Sequence, residues 1–104
     1  MGKGTRRRPE RLPYKLLEIR QKLGLSQNEM VRRMGLAEEI ERDYISKFER
    51  GTLEPSLWVL LQYARAANVT VESLIDNDLD LPEKLPAPRK SEGVRRKKQP
   101  KTEK

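Results

Sequence analysis

One short stretch of the sequence places polar side chains on one side of a helix and apolar side chains on the other. Ile45 and Phe48 are three residues apart, so both face inward on a helix. The outward face then consists of Arg42, Asp43, Ser46 and Lys47. An arginine can donate two hydrogen bonds to guanine O6 and N7, and an aspartate can accept one from cytosine N4. The stretch therefore has the chemistry to meet base edges.

The residues around this stretch must hold such a helix in place, and their pattern predicts further helices. Pro13 suits the first turn of a first helix, and Gly24 is a residue type that ends helices. Ser26 and Glu29 have the spacing of a capping box, in which each side chain accepts a hydrogen bond from the other's backbone N–H. A second helix therefore begins at Ser26. The third helix, with the polar face, covers about residues 42–49.

A fourth helix is the most apolar in the chain, and a short fifth helix follows it. Ser56 caps the fourth helix, Asn68 ends it, and Thr70 caps the fifth. Apolar spacing predicts a set of residues that both helices bury: Leu57, Leu60, Leu61, Ala64, Ala67, Val71, Leu74 and Ile75. The sequence therefore predicts an all-α fold, a compact bundle of five helices.

The net charge of +7 over 104 residues is concentrated at the two ends of the chain. Residues 1–12 hold five basic residues and one acidic residue, and residues 88–104 hold eight and two. Residues 13–87 hold ten basic and thirteen acidic residues. We expect a flexible basic arm over 1–12, a folded domain over 13–76, and then a proline-containing linker and a disordered basic tail over 77–104.

Composition argues against several classes of function. The chain has no cysteine and no histidine, so thiolate zinc sites are excluded and the commonest metal ligand and general base are missing. The serines and threonines have no base–orienter pair, so we expect no enzyme, no cofactor and no metal. No apolar run approaches the roughly 20 residues of a membrane span. We therefore expect a cytoplasmic protein with no membrane contact.

The order of these landmarks resembles the lambda-repressor-like helix-turn-helix family, also called the Xre or Cro type. The matching stretches, over about residues 14–76, are "IRQKLGLSQNEM", "MG", "ISKFERG", "PSLWVLLQYARAANV" and "VESLI". The resemblance implies five short helices, of which the second and third form the helix-turn-helix and the third lies in the major groove of double-stranded DNA. It implies a sequence-specific DNA-binding transcriptional regulator of bacterial or phage type.

The resemblance also implies which residues contact DNA. Arg42, Asp43 and Lys47 match base-reading positions, and Gln27 matches a residue that contacts phosphate from the start of the second helix. In the arm, basic residues give sequence-independent attraction to phosphates and can reach a minor groove. The complete set that we expect to contact DNA is Gln27, Arg42, Asp43, Ser46, Lys47 and Arg50, together with Arg6, Arg7 and Arg8.

One stretch departs from the family pattern. Nine residues separate Gly35 from Ile45, more than family members usually have there. The extra residues lie within 36–43, a stretch with four carboxylates: Glu38, Glu39, Glu41 and Asp43. This insert either extends the third helix or enlarges the turn before it. Because carboxylates oppose non-specific attraction to phosphates, we expect the basic ends to set affinity and the third helix to set sequence choice.

Trp58 lies where the family pattern is usually polar, so its side chain is expected to be exposed. An exposed tryptophan suits an interface anchor, and a symmetric dimer through the fourth and fifth helices is one interpretation. The other interpretation is local packing of Trp58 against the linker sequence "LDLP".

Two other functions are consistent with the same sequence. A protein-interaction module, such as an antitoxin or an adaptor, would keep the helical scaffold and use the acidic insert to contact a protein. A nucleoid or RNA binder would use only the basic ends and show no sequence preference.

Overall fold

The computed structural model describes residues 8–86, and five helices form within this range. Their bounds are α1 Leu12–Leu23, α2 Gln27–Arg33, α3 Arg42–Arg50, α4 Leu57–Ala67 and α5 Val71–Ile75. No strand occurs among the described residues. The predicted all-α architecture of five helices is therefore confirmed. The disorder predicted for the two ends falls largely on residues 1–7 and 87–104, which lie outside the described range.

Polar caps determine where three of the helices begin. Ser26 Oγ accepts a hydrogen bond from the Glu29 N–H at 3.0 Å, and Glu29 Oε1 accepts one from the Ser26 N–H at 2.8 Å. The predicted capping box is therefore present at α2. Ser56 and Thr70 cap α4 and α5 in the simpler way, each accepting from the N–H three residues further on. These caps satisfy N–H groups that have no partner within the helix.

The core lies where α1 meets α3, α4 and α5, and α2 packs against α3. Every helix contributes to one cluster of buried apolar side chains, which includes Leu16, Ile19, Met30, Ile45, Tyr63 and Leu74. All six of these side chains are fully buried. Among the described residues, none of the helices has the length and apolar character needed to cross a bilayer.

Two residues that we predicted in the core are exposed instead. The exposed fraction is 81% for Leu57 and 41% for Ile75. The buried side of α4 consists of Val59, Leu60, Tyr63, Ala64 and Ala67. This side is rotated toward Tyr63 relative to the predicted stripe, which leaves Leu57 at its edge in the first turn. Ile75 is the last residue of α5, where the helix no longer packs fully against its neighbours.

The acidic insert enlarges the turn between α2 and α3 and does not lengthen α3. The Leu36 carbonyl accepts hydrogen bonds from the N–H groups of Glu39 at 2.9 Å and Ile40 at 3.0 Å, which closes a single turn. Leu36 is buried and Ile40 packs against the core, so the insert is anchored at two points. Glu38 and Glu39 are exposed between these anchors, and α3 begins at Arg42.

The residues on both sides of the helical bundle also pack against it. Leu81, within the predicted linker, is only 7% exposed. Lys22 of α1 donates hydrogen bonds to the carbonyls of Pro82 at 2.8 Å and Glu83 at 2.6 Å. We call residues 77–86 the strap. At the other end, residues 8–11 of the predicted flexible arm are hydrogen-bonded to the strap, so the packed part of the chain begins before Pro13.

Candidate nucleic-acid interface

The outward side of α3 is polar and has no partner among residues 8–86. It carries five of the residues predicted to contact DNA: Arg42, Asp43, Ser46, Lys47 and Arg50. All are exposed except Ser46, which is half-buried. Within the described range, no hydrogen bond or ion pair engages any of these five side chains. Their donors and acceptors are therefore available to an external ligand.

Aromatic and aliphatic side chains fix α3 against the bundle from its inner side. Ile45 and Phe48 are buried, as the three-residue spacing predicts. The Phe48 ring lies edge-to-face with Tyr44 at 6.3 Å between centroids and with Tyr63 of α4 at 6.5 Å. Edge-to-face ring pairs add about 0.5–1.5 kcal/mol beyond the area they bury. The polar face of α3 is thus presented by a firmly held helix.

A charged cluster joins α3 to α1 and α2. Arg20 of α1 forms a two-pronged ion pair with Glu49 of α3, with Nε to Oε2 at 2.7 Å and Nη2 to Oε1 at 2.9 Å. The exposed fraction of the side chain is 18% for Arg20 and 6% for Glu49. Arg20 Nη1 also donates to the Leu25 carbonyl at 3.0 Å. The hydrogen bond to Glu49 raises the pKa of Arg20, so its charge is fixed at all ordinary pH values.

Gln27, at the first position of α2, belongs to this cluster. Its Nε2 donates to Glu49 Oε1 at 3.2 Å, and the residue is half-buried. An amide nitrogen has two donors and the amide oxygen is an acceptor, so Gln27 keeps polar groups for a further partner. Glu49 and Arg42 are seven residues apart on α3, which places them on the same side of the helix. Gln27 is therefore held beside the flank of α3 that carries Arg42.

The charges around this face are mixed. Asp43 lies among the basic residues of α3, and the exposed carboxylates of Glu38, Glu39 and Glu41 precede the helix. Arg8 lies near the other end of α3, because it lines a cavity of about 260 Å³ together with residues 51–55. The basic residues Arg6 and Arg7, which we predicted to contact DNA, lie outside the described range.

Comparison with models of known protein families identifies the family to which this fold belongs. The helix-turn-helix family model, HTH_3, matches residues 16–74, which include most of α1 and all of α2, α3 and α4. This chain belongs to the helix-turn-helix family. The resemblance inferred from the sequence is thereby confirmed.

One similar solved structure is that of the P22 c2 repressor protein, in complex with synthetic operator 9T in the presence of Tl+. The match has a TM-score of 0.56 and 24% sequence identity, and it covers 64% of this chain and 96% of the repressor chain. No curated protein matches this helix-turn-helix protein. The structural match supports the lambda-repressor-like, all-α fold.

Two residues that shape the interface of this helix-turn-helix protein, Arg20 and Glu49, were not predicted. The ion pair joins positions 29 residues apart in the chain, and no short motif marks it. Local spacing gave one indication that Glu49 is partly buried: it directly follows the inward-facing Phe48 and so lies at the edge of the core face. Periodicity identifies faces of helices, whereas a charged contact between helices depends on how those faces meet.

The helix-turn-helix protein also exposes apolar side chains on α4 and α5, away from α3. Trp58 is 56% exposed, which agrees with the expectation from sequence. Leu57 lies beside it in the chain, and Leu57 and Ile75 both line an open groove between the start of α4 and the end of α5. The exposed side chains of Leu57 and Trp58 at the start of α4, with Ile75 across the groove, make this region a candidate contact surface.

Proposed function

We propose that this helix-turn-helix protein is a sequence-specific transcriptional regulator that binds double-stranded DNA and reads the major groove with α3. The observation that carries the proposal is the outward face of α3, where several charged side chains have no partner among the described residues while the helix itself is firmly packed. The similarity in fold to a repressor crystallised with operator DNA supports it. The function is one of binding and regulation, without catalysis.

Each side chain on the α3 face has a proposed role. Arg42 donates two hydrogen bonds to a guanine, and a good bidentate pair of this kind contributes about 1–3 kcal/mol of discrimination. Asp43 accepts one hydrogen bond from a cytosine. Lys47 completes the base-reading set. Gln27 and Arg50 contact phosphates on either side, and Ser46 contributes a hydroxyl between them. In this proposal, two helical turns of α3 both select the base sequence and position the protein on the DNA backbone.

The acidic residues before α3 suit this division of roles. Glu38, Glu39 and Glu41 are exposed in the enlarged turn and oppose non-specific attraction to phosphates. The basic residues of the two ends, among them Arg6, Arg7 and Arg8, supply the sequence-independent part of affinity. We expect the arm to follow the backbone or enter a minor groove.

We further propose that the protein binds as a symmetric dimer through α4 and α5. The exposed apolar side chains of Leu57, Trp58 and Ile75 are the anchors of that interface. Aromatic residues are enriched among the residues that dominate binding energy at interfaces. A dimer of this kind binds two half-sites related by two-fold symmetry, so the proposed operator is palindromic.

The test is selection of random duplex DNA by the full-length protein at about 0.15 M salt, followed by sequencing of the retained DNA. Parallel selections use Arg42→Ala and Lys47→Ala. The proposal predicts an enriched motif that changes at defined positions in each variant. Lys84→Ala is the control, because Lys84 is also basic and exposed but lies in the strap, outside α3 and outside the proposed dimer interface, and it should leave the motif intact.

Two other outcomes of the selection would point to a different function, and a third bears on the dimer. Retention of DNA without any motif would assign binding to the basic ends and contradict sequence reading by α3. No retention at all would favour a protein partner for the acidic insert, which is held in place by Leu36 and Ile40 and presents exposed carboxylates. A motif without palindromic symmetry would contradict the dimer and leave the reading role of α3 in place.

A further inference from the structure

The first turn of α3 carries an exposed tyrosine, Tyr44, in addition to its charged residues. The exposed fraction of Tyr44 is 42%. Within residues 8–86, no hydrogen bond engages its hydroxyl. Tyrosine suits interfaces because its ring covers apolar surface while its hydroxyl makes a hydrogen bond. The Tyr44 hydroxyl is therefore available to a partner outside the chain.

The Tyr44 ring is held in place from the inner side of α3. It lies edge-to-face with the buried Phe48 ring, with 6.3 Å between the centroids and 67° between the ring planes. Phe48 packs in the same manner against Tyr63 of α4. The Tyr44 backbone N–H donates to the Glu41 carbonyl at 2.9 Å. Because the ring is already fixed, a hydrogen bond from its hydroxyl costs little further conformational entropy.

Helical geometry places Tyr44 on one flank of α3 and Gln27 beside the other flank. Successive residues of an α-helix are about 100° apart around its axis. Measured from the mean direction of the two buried side chains of α3, Tyr44 lies roughly 70° to one side and Glu49 roughly 70° to the other. Gln27 Nε2 donates to Glu49 Oε1 at 3.2 Å. The Tyr44 hydroxyl and the Gln27 amide therefore lie on opposite flanks of the polar face.

The two flanks of a helix in the major groove face the two walls of the groove. A helix with its side chains is about 10–12 Å in diameter, and the groove is about 12 Å wide. Base edges form the floor of the groove, whereas the phosphates of the two strands border it on either side. Tyrosine hydroxyls are among the side-chain groups that donate to phosphate oxygens in protein–DNA complexes.

We propose that the Tyr44 hydroxyl donates a hydrogen bond to a DNA phosphate on the wall of the major groove opposite to the wall that Gln27 contacts. This inference rests on the proposed function, since it takes α3 to lie in the major groove. The contact fixes the rotation of α3 about its axis and so positions Arg42 and Lys47 at the base edges. Because the hydroxyl carries no charge, it holds the helix in place without adding to non-specific attraction to phosphates.

The test measures the affinity of the full chain and of Tyr44→Phe for an enriched duplex from the selection. The variant keeps the ring and its contact with Phe48 and removes only the hydroxyl. A hydrogen bond to a charged group, at the low end of its usual range, corresponds to about tenfold in affinity, so Kd should rise by about tenfold. The salt slope should not change, because an uncharged donor releases no counterion. The base preference should not change either, because every base pair presents the same phosphates.

A second measurement locates the phosphate. Single phosphates of the duplex are replaced in turn by uncharged methylphosphonates. At one position, the replacement should weaken binding of the natural protein by about tenfold and weaken binding of Tyr44→Phe by much less. The matched control is Tyr14→Phe, which removes the hydroxyl of another exposed tyrosine, on α1, and should leave affinity unchanged for every duplex. Circular dichroism establishes that both variants are folded.

Three results would overturn this role of Tyr44 and leave the proposed function standing. The first is an unchanged affinity of Tyr44→Phe. The second is a changed base preference in this variant, which would make Tyr44 a base contact. The third is a loss of affinity in Tyr44→Phe that is the same at every methylphosphonate position. Absence of any enriched duplex would instead overturn the proposed function itself and, with it, the phosphate contact of Tyr44.

Discussion

Removal of the Glu49 carboxylate should destabilise the fold more than removal of any exposed carboxylate. Glu49 accepts two hydrogen bonds from Arg20 and one from Gln27, and its side chain is 6% exposed. Glu49→Ala leaves the Arg20 guanidinium, 18% exposed, without its counter-ion. Loss of one partner of a buried ion pair costs about 3–5 kcal/mol, and partial exposure of Arg20 places this case near about 3 kcal/mol.

A domain of this size has a free energy of unfolding of about 4–12 kcal/mol, so this loss is a large part of the total. Each kcal/mol shifts Tm by about 4–8 °C in a domain of this length, which predicts a fall of about 12–24 °C. The assay is thermal and urea unfolding followed by circular dichroism. Glu54→Ala is the control, because it removes the same charge from an exposed loop and should change stability by less than about 0.5 kcal/mol.

A double variant separates the ion pair from simple loss of packing. Arg20→Met combined with Glu49→Leu removes both charges and replaces them with apolar groups, a change that is often neutral for buried pairs. We expect this double variant to be more stable than Glu49→Ala alone. A loss below about 0.5 kcal/mol for Glu49→Ala would contradict this prediction, because the ion pair would then contribute no more than a surface contact.

Three further predictions concern backbone, charge and packing. Gly51→Ala should lower the free energy of unfolding in urea by about 1–2 kcal/mol, and Gly24→Ala should lower it by less. Both glycines have φ above 70°, but only at Gly51 would the added Cβ lie 3.3 Å from a neighbouring side chain. Hydrogen bonds from Ser26 hold the pKa of Glu29 below its usual 4.5, so Glu29 stabilises the fold above that pH. In thermal unfolding at a series of pH values, this stabilisation should be lost as pH falls through the lowered pKa, and the loss should be smaller in Glu29→Gln. Leu57→Gln should change the free energy of unfolding of the monomer by less than about 0.5 kcal/mol, because Leu57 is exposed, and should shift sedimentation toward the monomer. Leu60→Ala, in the core, should lower the free energy of unfolding by about 2–5 kcal/mol.

Local sequence signals account for most of the architecture. The capping box at Ser26 and Glu29 and the caps at Ser56 and Thr70 lie where their residue types predicted them. The inward positions of Ile45 and Phe48 also followed from spacing, and with them the outward face of α3. These features depend on residues within one or two helical turns, and so the sequence alone contains them.

Long-range contacts account for what the sequence did not reveal. The prediction that Leu57 is buried was wrong because the rotation of α4 depends on where the Tyr63 ring fits among the other helices. The strap is attached through the buried Leu81 and through hydrogen bonds from Arg11 and Lys22 to backbone groups 60 to 66 positions away. Backbone acceptors exist at every residue, so no pattern of residue types marks such contacts in advance.

Base-by-base affinity measurement with the natural protein and with Arg42→Ala shows directly whether α3 selects the base sequence. Each position of the enriched duplex is substituted in turn, and the dissociation constant is measured at several salt concentrations. If α3 reads bases, Arg42→Ala loses about 1–3 kcal/mol of discrimination at one base pair and keeps the natural preference elsewhere. Uniform weakening at every position, with a smaller salt slope, would contradict it by making Arg42 a phosphate contact.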